Sequence, residues 1–277
     1  MALPPRVHPT AIVDARVKLA DGVSVGAYAI ISGDVSIGEG TTILEHCVIR
    51  GSTRIGRECR IGPAAYVGLE PQHLTFVADE SNPTYLVIGD HVTLREAARI
   101  NRASKPGIEN ATRIGDHCFV MGAGHVGHDC VVGPHVIVAD SALLGGHCQV
   151  AERVFLGGGC AIHQFVRIGR LCIVAGNEQI SHDVPPFGAA RYGRLKGYNA
   201  IGCKRAGISR EAIAGIRATY LRLRTHRNTR NALAAIVSEV SATKEVSEIV
   251  EFIRASRRGT LPAYRQRRQA EDDSAAE

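Results

Sequence analysis

The segment Gly124-His125-Val126-Gly127-His128-Asp129-Cys130 sets two imidazoles three residues apart and a carboxylate directly after the second. Gly145-Gly146-His147 and Ile162-His163-Gln164-Phe165 follow it along the chain. A neutral imidazole titrates near working pH, so His128 can accept a proton during a reaction. The adjacent Asp129 can hold its tautomer through a hydrogen bond, the orienting role of the acid in catalytic triads. Other histidines have a plainer reading. His46, His91, His117, His135 and also His147 occupy one recurring slot, where a polar side chain at a corner reaches solvent.

The elements that must position these groups follow from a ruler of aliphatic residues set six apart. Val7, Val13, Leu19, Val25, Ile31 and on to Val67 keep this interval, as do Ile88, Leu94 and Ile100, and then Ile114, Val120, Val126 and on to Ile180. No position in the three runs is polar. A period of six fits neither the 3.6 residues of a helical turn nor plain strand alternation. It implies a flat face, a corner and another flat face, with three faces closing one 18-residue coil. The aliphatic side chain points inward on each face and stacks on its equivalent one coil away. Gly often follows it, as in Ile37-Gly38 and Ile55-Gly56, which suits a tight turn. On this period His128 and Gly146 lie one coil apart, about 5 Å in the ladder direction.

Two breaks interrupt the ruler, predicting projecting loops at 69–87 and 102–112; insertions thrown off one face of a repeat protein commonly form its binding apparatus. The ruler ends at Asp183-Val184-Pro185-Pro186, where consecutive prolines remove strand donors. The predicted organisation is a β-helix over 1–186, a connector over 187–208, a small helical domain over 209–258 and a tail over 259–277. Helical periods show at Ile213, Ile216 and Tyr220, at Leu233, Ile236, Val237 and Val240, and at Val246, Ile249, Val250 and Ile253, with Ser209 as N-cap. The tail is polar and short of apolar anchors, so disorder is expected. The helices are expected to cover the open last coil.

Seven of the eight cysteines, Cys47, Cys59, Cys118, Cys130, Cys148, Cys160 and Cys172, fall four residues after a ruler aliphatic and read as small core fillers. No C-x-x-C pair supports zinc or redox chemistry. Cys203 lies off the ruler and is a candidate for exposure. With 277 residues and 5% aromatics, the chain suits a large aliphatic core. Neither a signal sequence nor an apolar run long enough to span a bilayer is evident, so a cytoplasmic protein is expected. The net charge of +6 comes from residues 191–230, which carry 11 Lys/Arg against Glu211 alone. Such a block attracts an acidic partner. Few aromatics are interleaved for base stacking, which argues against nucleic acid.

The hexads resemble those of the hexapeptide-repeat acyltransferases, which implies a left-handed parallel β-helix. The ordered set H-x-x-H-D, G-G-H, H-Q-F and D-V-P-P, with Asn199–Gly207 containing Lys204-Arg205 and with Ser209-Arg210-Glu211-Ala212-Ile213, resembles the UDP-N-acetylglucosamine O-acyltransferase family over residues 7–258. The resemblance implies transfer of a 3-hydroxyacyl group from acyl carrier protein to the sugar 3-hydroxyl, the step that opens lipid A synthesis. It makes His128 the general base, and Gly146 the residue whose N–H holds the oxyanion. Gln72, His125, His147, His163, Gln164, Asn199 and Arg205 become substrate contacts, with Arg205 serving the phosphates or the phosphopantetheine arm. Ile173 and Gly176 become limits on acyl length. It further implies a homotrimer, no bound cofactor, and acyl-phosphopantetheine delivered by the acidic carrier protein at the basic block.

The chain departs from the family's usual pattern at five positions. It has Asn101 for His, His73 and Thr75 for an acid and a Lys, Ile201 for Glu and Ala206 for Arg. These positions keep open a 3-amino or other nucleotide-sugar acceptor, or a non-catalytic binding scaffold. The γ-type carbonic anhydrases also build on hexads and bind zinc through three histidines. His125, His128 and His147 do not show their spacing, so no metal is expected.

Overall fold

The computed structural model describes residues 3–226 and 228–263. Most strands are only two residues long and would not persist alone; each pairs in parallel with its equivalents one coil below and above. Three ladders result. The first holds eleven strands, from Arg6–Val7 up to Ile173–Val174, closed by Gly188–Arg191 and the antiparallel Arg194–Tyr198. The second holds nine, from Ile12–Val13 to Gln179–Ile180, and the third eight, from Lys18–Leu19 to Arg167–Ile168.

The register is the 18-residue coil that the ruler predicts: Ile30 pairs with Val48 and Ile137 with Phe155. Across the first insertion Arg60 pairs instead with Thr93, and across the second Arg99 pairs with His125, so both are looped out without disturbing the phase. The loops span 70–84 and 102–111, slightly less than expected, because Leu69, Tyr85–Val87 and Thr112 extend the flanking strands. From Val25 to Ile180 no ruler residue exceeds 4% exposure. Val7, by contrast, is 44% exposed, because the first coil has no coil beneath it.

The corners carry the expected polar residues in a left-handed conformation, including His46, His91, His117, His135 and His147. Such φ values strain an L-residue, and the ladders on both sides over-determine them. The equal period also stacks the rings: His91 on His117 at 4.8 Å and His117 on His135 at 4.9 Å. The ruler cysteines are buried as predicted, with Cys47 Sγ donating to Gly62 O and Cys118 Sγ to Gly133 O, each in the coil above. Burial pushes the Cys47 thiol up to about 11 and the Cys160 thiol to about 12, so neither is a nucleophile.

Beyond the prolines the chain is more ordered than expected. The connector forms a β-hairpin whose Tyr192-Gly193 turn has positive φ at both residues and donates both N–H groups to the Glu178 carboxylate. Helices α1 (Ala200–Arg205), α2 (Arg210–Thr225), α3 (Thr229–Glu239) and α4 (Lys244–Arg254) follow, and Ser209 caps α2 through Ala212 N–H. Two expectations are corrected here. Cys203 is fully buried, because α1 presses it into the main core, and Val237 is 61% exposed, because α3 buries the face of Ala232, Ala235 and Ile236. A third correction concerns the tail: residues 259–263 are fixed in place, with Leu261 at 3% exposure and bonded to Asp183 O, while the Asp183 carboxylate accepts from Ser256. The rest of the predicted tail lies outside the described residues.

The last coil is closed by Tyr220 of α2, whose buried hydroxyl reaches the Pro185 and Pro186 carbonyls at 3.0 and 2.7 Å. Pro185 O also accepts from Gly188 N–H and Cys172 Sγ, but among the described residues Pro186 O accepts from the Tyr220 hydroxyl alone, which makes this hydroxyl costly to lose. Tyr220→Phe should cost about 1–3 kcal/mol, read as a lower denaturation midpoint; an unchanged midpoint would show that the prolines do not need it.

Candidate active site

The corner between the second and third ladders brings together most of the groups singled out in the sequence. One position of this corner runs His128, Gly146, Gln164 in successive coils, and the next runs Asp129, His147, Phe165. Asp129, His147 and Phe165 all take positive φ, of 59, 62 and 64°. At Asp129 that turn swings the carboxylate back onto its neighbour: His128 Nδ1 lies 2.5 Å from Oδ2. An ionised carboxylate only accepts, so Nδ1 carries the proton and Nε2 keeps its lone pair. His128 is 5% exposed, and its ring is bounded by His147 and His73, edge-on at 5.2 and 6.1 Å. Phe165 stacks on His147 at 4.4 Å and fixes that wall.

The free end of the His128 ring faces Gly146. A Cβ on Gly146 would come within 2.8 Å of both Nε2 and Cε1, so only glycine admits the imidazole at this distance. The Gly146 N–H has no acceptor among the described residues. A free N–H recurs at this slot in neighbouring coils, but only here does a bare backbone lie against a proton-accepting nitrogen. The buried His125 Nδ1 also lacks a partner. Burial holds the His125 imidazole below its ordinary value, with help from Arg99 and His128, so it is neutral at working pH. Burial likewise lowers His147, against the opposing pull of Asp129. For Asp129, burial pushes the carboxyl up, but hydrogen bonds from His128 and Ser104 outweigh it and the net direction is down.

His128, Asp129 and His147 offer donor atoms within 4.8 Å of one another. A zinc ion would need roughly 2 Å to each donor. With Nδ1 and Oδ2 in direct hydrogen-bond contact, the pair would have to part to admit one, so the donors as placed do not fit a metal.

Relatives from Syntrophobacter fumaroxidans and Trichlorobacter lovleyi, both named acyl-(acyl-carrier-protein)-UDP-N-acetylglucosamine O-acyltransferase, are 38% and 49% identical to this chain. They align over 92% and 91% of it and 99% and 98% of their own length. The chain belongs to the UDP-N-acetylglucosamine O-acyltransferase family. The description "Udp N-acetylglucosamine O-acyltransferase; Domain 2" matches residues 183–261, and a bacterial transferase hexapeptide description matches 34–68. LpxA from Acinetobacter baumannii superposes with a TM-score of 0.85 at 33% identity, covering 92% of this chain and 99% of that one. UDP-N-acetylglucosamine acyltransferase from Campylobacter jejuni gives 0.83 at 29%, covering 94% and 100%.

Within this acyltransferase fold the expected site residues divide into two sets. His128, Asp129, Gly146, His147, His163 and Gln164 share one corner, His125 lies on the second-ladder strand that leads into it, and Gln72 is on the loop whose next residue, His73, reaches His128. His163 is exposed, and its Nδ1 is 2.7 Å from an Arg258 guanidinium nitrogen. The other four lie elsewhere on the prism. Asn199 caps α1, accepting from Gly202 N–H and donating to Leu171 O at the corner between the third and first ladders. Arg205 is exposed at the end of α1. Ile173 lies on the first ladder and Gly176 at the corner between the first and second. Within one chain these four do not converge on His128. Of the departures, Asn101 is buried and donates to Glu70 O, which ties the root of the first loop rather than facing a ligand.

Three contributors escaped the sequence reading. Phe165 was accessible to it, since the 18-residue period alone stacks it on His147. Ser104 and Thr112, which bond the Asp129 side chain and N–H, were not, because the second insertion breaks the count.

Proposed function

We propose that the chain transfers a 3-hydroxyacyl group from acyl carrier protein to the 3-hydroxyl of UDP-N-acetylglucosamine, the first step of lipid A synthesis. His128 Nε2 takes the hydroxyl proton as the oxygen attacks the thioester carbonyl. The carbonyl oxygen gains the negative charge, held by the Gly146 N–H. Collapse re-forms the carbonyl, breaks the carbon–sulfur bond and returns the proton from His128 to the departing thiol. Asp129 keeps the tautomer and offsets the charge on the imidazolium. The observation that carries this reading is the Nε2 edge of His128 against the side-chain face of a glycine, with its other nitrogen held by Asp129.

The separation of Asn199, Arg205, Ile173 and Gly176 from His128 supports a homotrimer, in which another copy turns a different edge towards the base. The acidic carrier protein docks on the block at 191–230, where Lys204, Arg205, Arg210 and Arg217 are exposed. No helix among the described residues is long and apolar enough to cross a membrane, and this accords with work in the cytoplasm on a carrier-bound donor. Incubation with 3-hydroxyacyl carrier proteins of several chain lengths and UDP-N-acetylglucosamine should give an O-acylated sugar nucleotide by mass spectrometry. Product only with the 3-amino analogue would reassign the acceptor, and carrier-protein binding without any product would make the chain a scaffold.

A further inference from the structure

Ser104 opens the second loop, directly below the corner that holds His128, and meets the Asp129 carboxylate twice. Its N–H donates to Oδ1 at 3.0 Å and its hydroxyl to Oδ2 at 2.7 Å. Asp129 is also held from behind, its own N–H donating to Thr112 Oγ1 at 2.8 Å where the loop returns to the third ladder. Oδ2 lies between two imidazoles: His128 Nδ1 at 2.5 Å and His147 Nε2 at 3.6 Å. A carboxylate free to turn about its terminal torsion could serve either ring, because that torsion is soft. With both oxygens engaged, the rotation towards His147 breaks two bonds at once.

We propose that Ser104 is a positioning residue that assigns Asp129 to His128 instead of His147, and so decides which imidazole of the pair is the base. The inference rests on the reading of His128 as general base. It also gives the second loop a purpose: the insertion that interrupts the coil delivers a hydroxyl to a point that no hexad position reaches. Other charged or titratable groups face the pair: Lys105 beside Ser104, His73 from the first loop, and His125 with Arg99 from the second ladder. Lys105, His73 and His128 all disfavour a proton on His147, and Asp129 alone favours it. The position of Asp129 is therefore the lever on His147.

The test compares Ser104→Ala with Ser104→Thr in the full chain. Ser104 lines the cavity of about 780 Å³ beneath the first loop, which leaves room for the threonine methyl. Ser104→Ala should lower kcat about tenfold, the scale of one lost hydrogen bond to a charged group, with KM for the sugar nucleotide within about twofold. Ser104→Thr should keep wild-type kcat. Imidazole resonances followed through a pH titration should show the His147 midpoint rising in Ser104→Ala and unmoved in Ser104→Thr, because only the former removes the hydroxyl bond that holds Oδ2 away from His147. An unmoved His147 midpoint in Ser104→Ala overturns the inference, as does a loss of kcat that Ser104→Thr fails to restore. The titration needs no turnover, so a wild-type chain with no acyl transfer would refute the functional reading while the His147 midpoint still decides the role of Ser104.

Discussion

His128→Ala should lower kcat by about 10²–10⁴-fold, the range that a positioned general base supplies, with little change in KM for the sugar nucleotide. The split follows from geometry. The ring is 5% exposed, its Nδ1 is occupied by Asp129, and its Nε2 edge lies where a Gly146 side chain would stand, so it holds a proton-transfer position more than a binding one. Truncation leaves the Ser104 bonds to Asp129 intact, so the corner should keep its shape. Steady-state kinetics with mass-spectrometric detection of the sugar product measures this, and a variant within threefold of wild type would remove His128 from the chemistry. The pairing itself has an acid limit. Because Asp129 is held below its ordinary value of 3.8, the stabilisation its charge contributes is present above that value. It is lost as pH falls through the depressed folded value, so the arrangement should fail only in strong acid.

Gly146→Ala should lower kcat by about 10²–10³-fold, the scale of losing an oxyanion donor, although the substitution deletes no polar group. The added Cβ would lie 2.8 Å from His128 Nε2 and Cε1. Either the imidazole yields, which pulls Nδ1 off Asp129, or the backbone yields, which turns the N–H away from the thioester; each outcome damages transfer. Overpacking of this kind typically costs about 1–3 kcal/mol, and here it falls on one side chain at the edge of a long ladder. The denaturation midpoint should therefore move much less than the rate. Full activity in Gly146→Ala would show that the close approach of the ring to a residue without a side chain plays no part in catalysis.

The two variants address one contact from opposite sides, and the sequence already held both partners. A strict period of 18 turns sequence separation into spatial adjacency, so His128 over Gly146 and Asp129 beside His147 are arithmetic once the coil is recognised. The burial of seven cysteines was legible in the same way, since slot decides environment in a repeat. The reading weakened wherever the period stopped. Cys203 and residues 259–263 looked free because no repeat assigns them a neighbour, yet α1 buries Cys203 and the final strap buries Leu261 against the main core.

By itself, then, the sequence determined the coil, the core and the corner that holds the imidazoles, because a repeat translates spacing directly into contact. Only the tertiary structure decided that Ser104 reaches Asp129 and that His73 closes on His128. It alone separated Asn199 and Arg205 from the base. The physical reason is shared: these contacts are made by insertions or across different edges of the prism, where the path of the backbone, and not the count of residues, sets the distance.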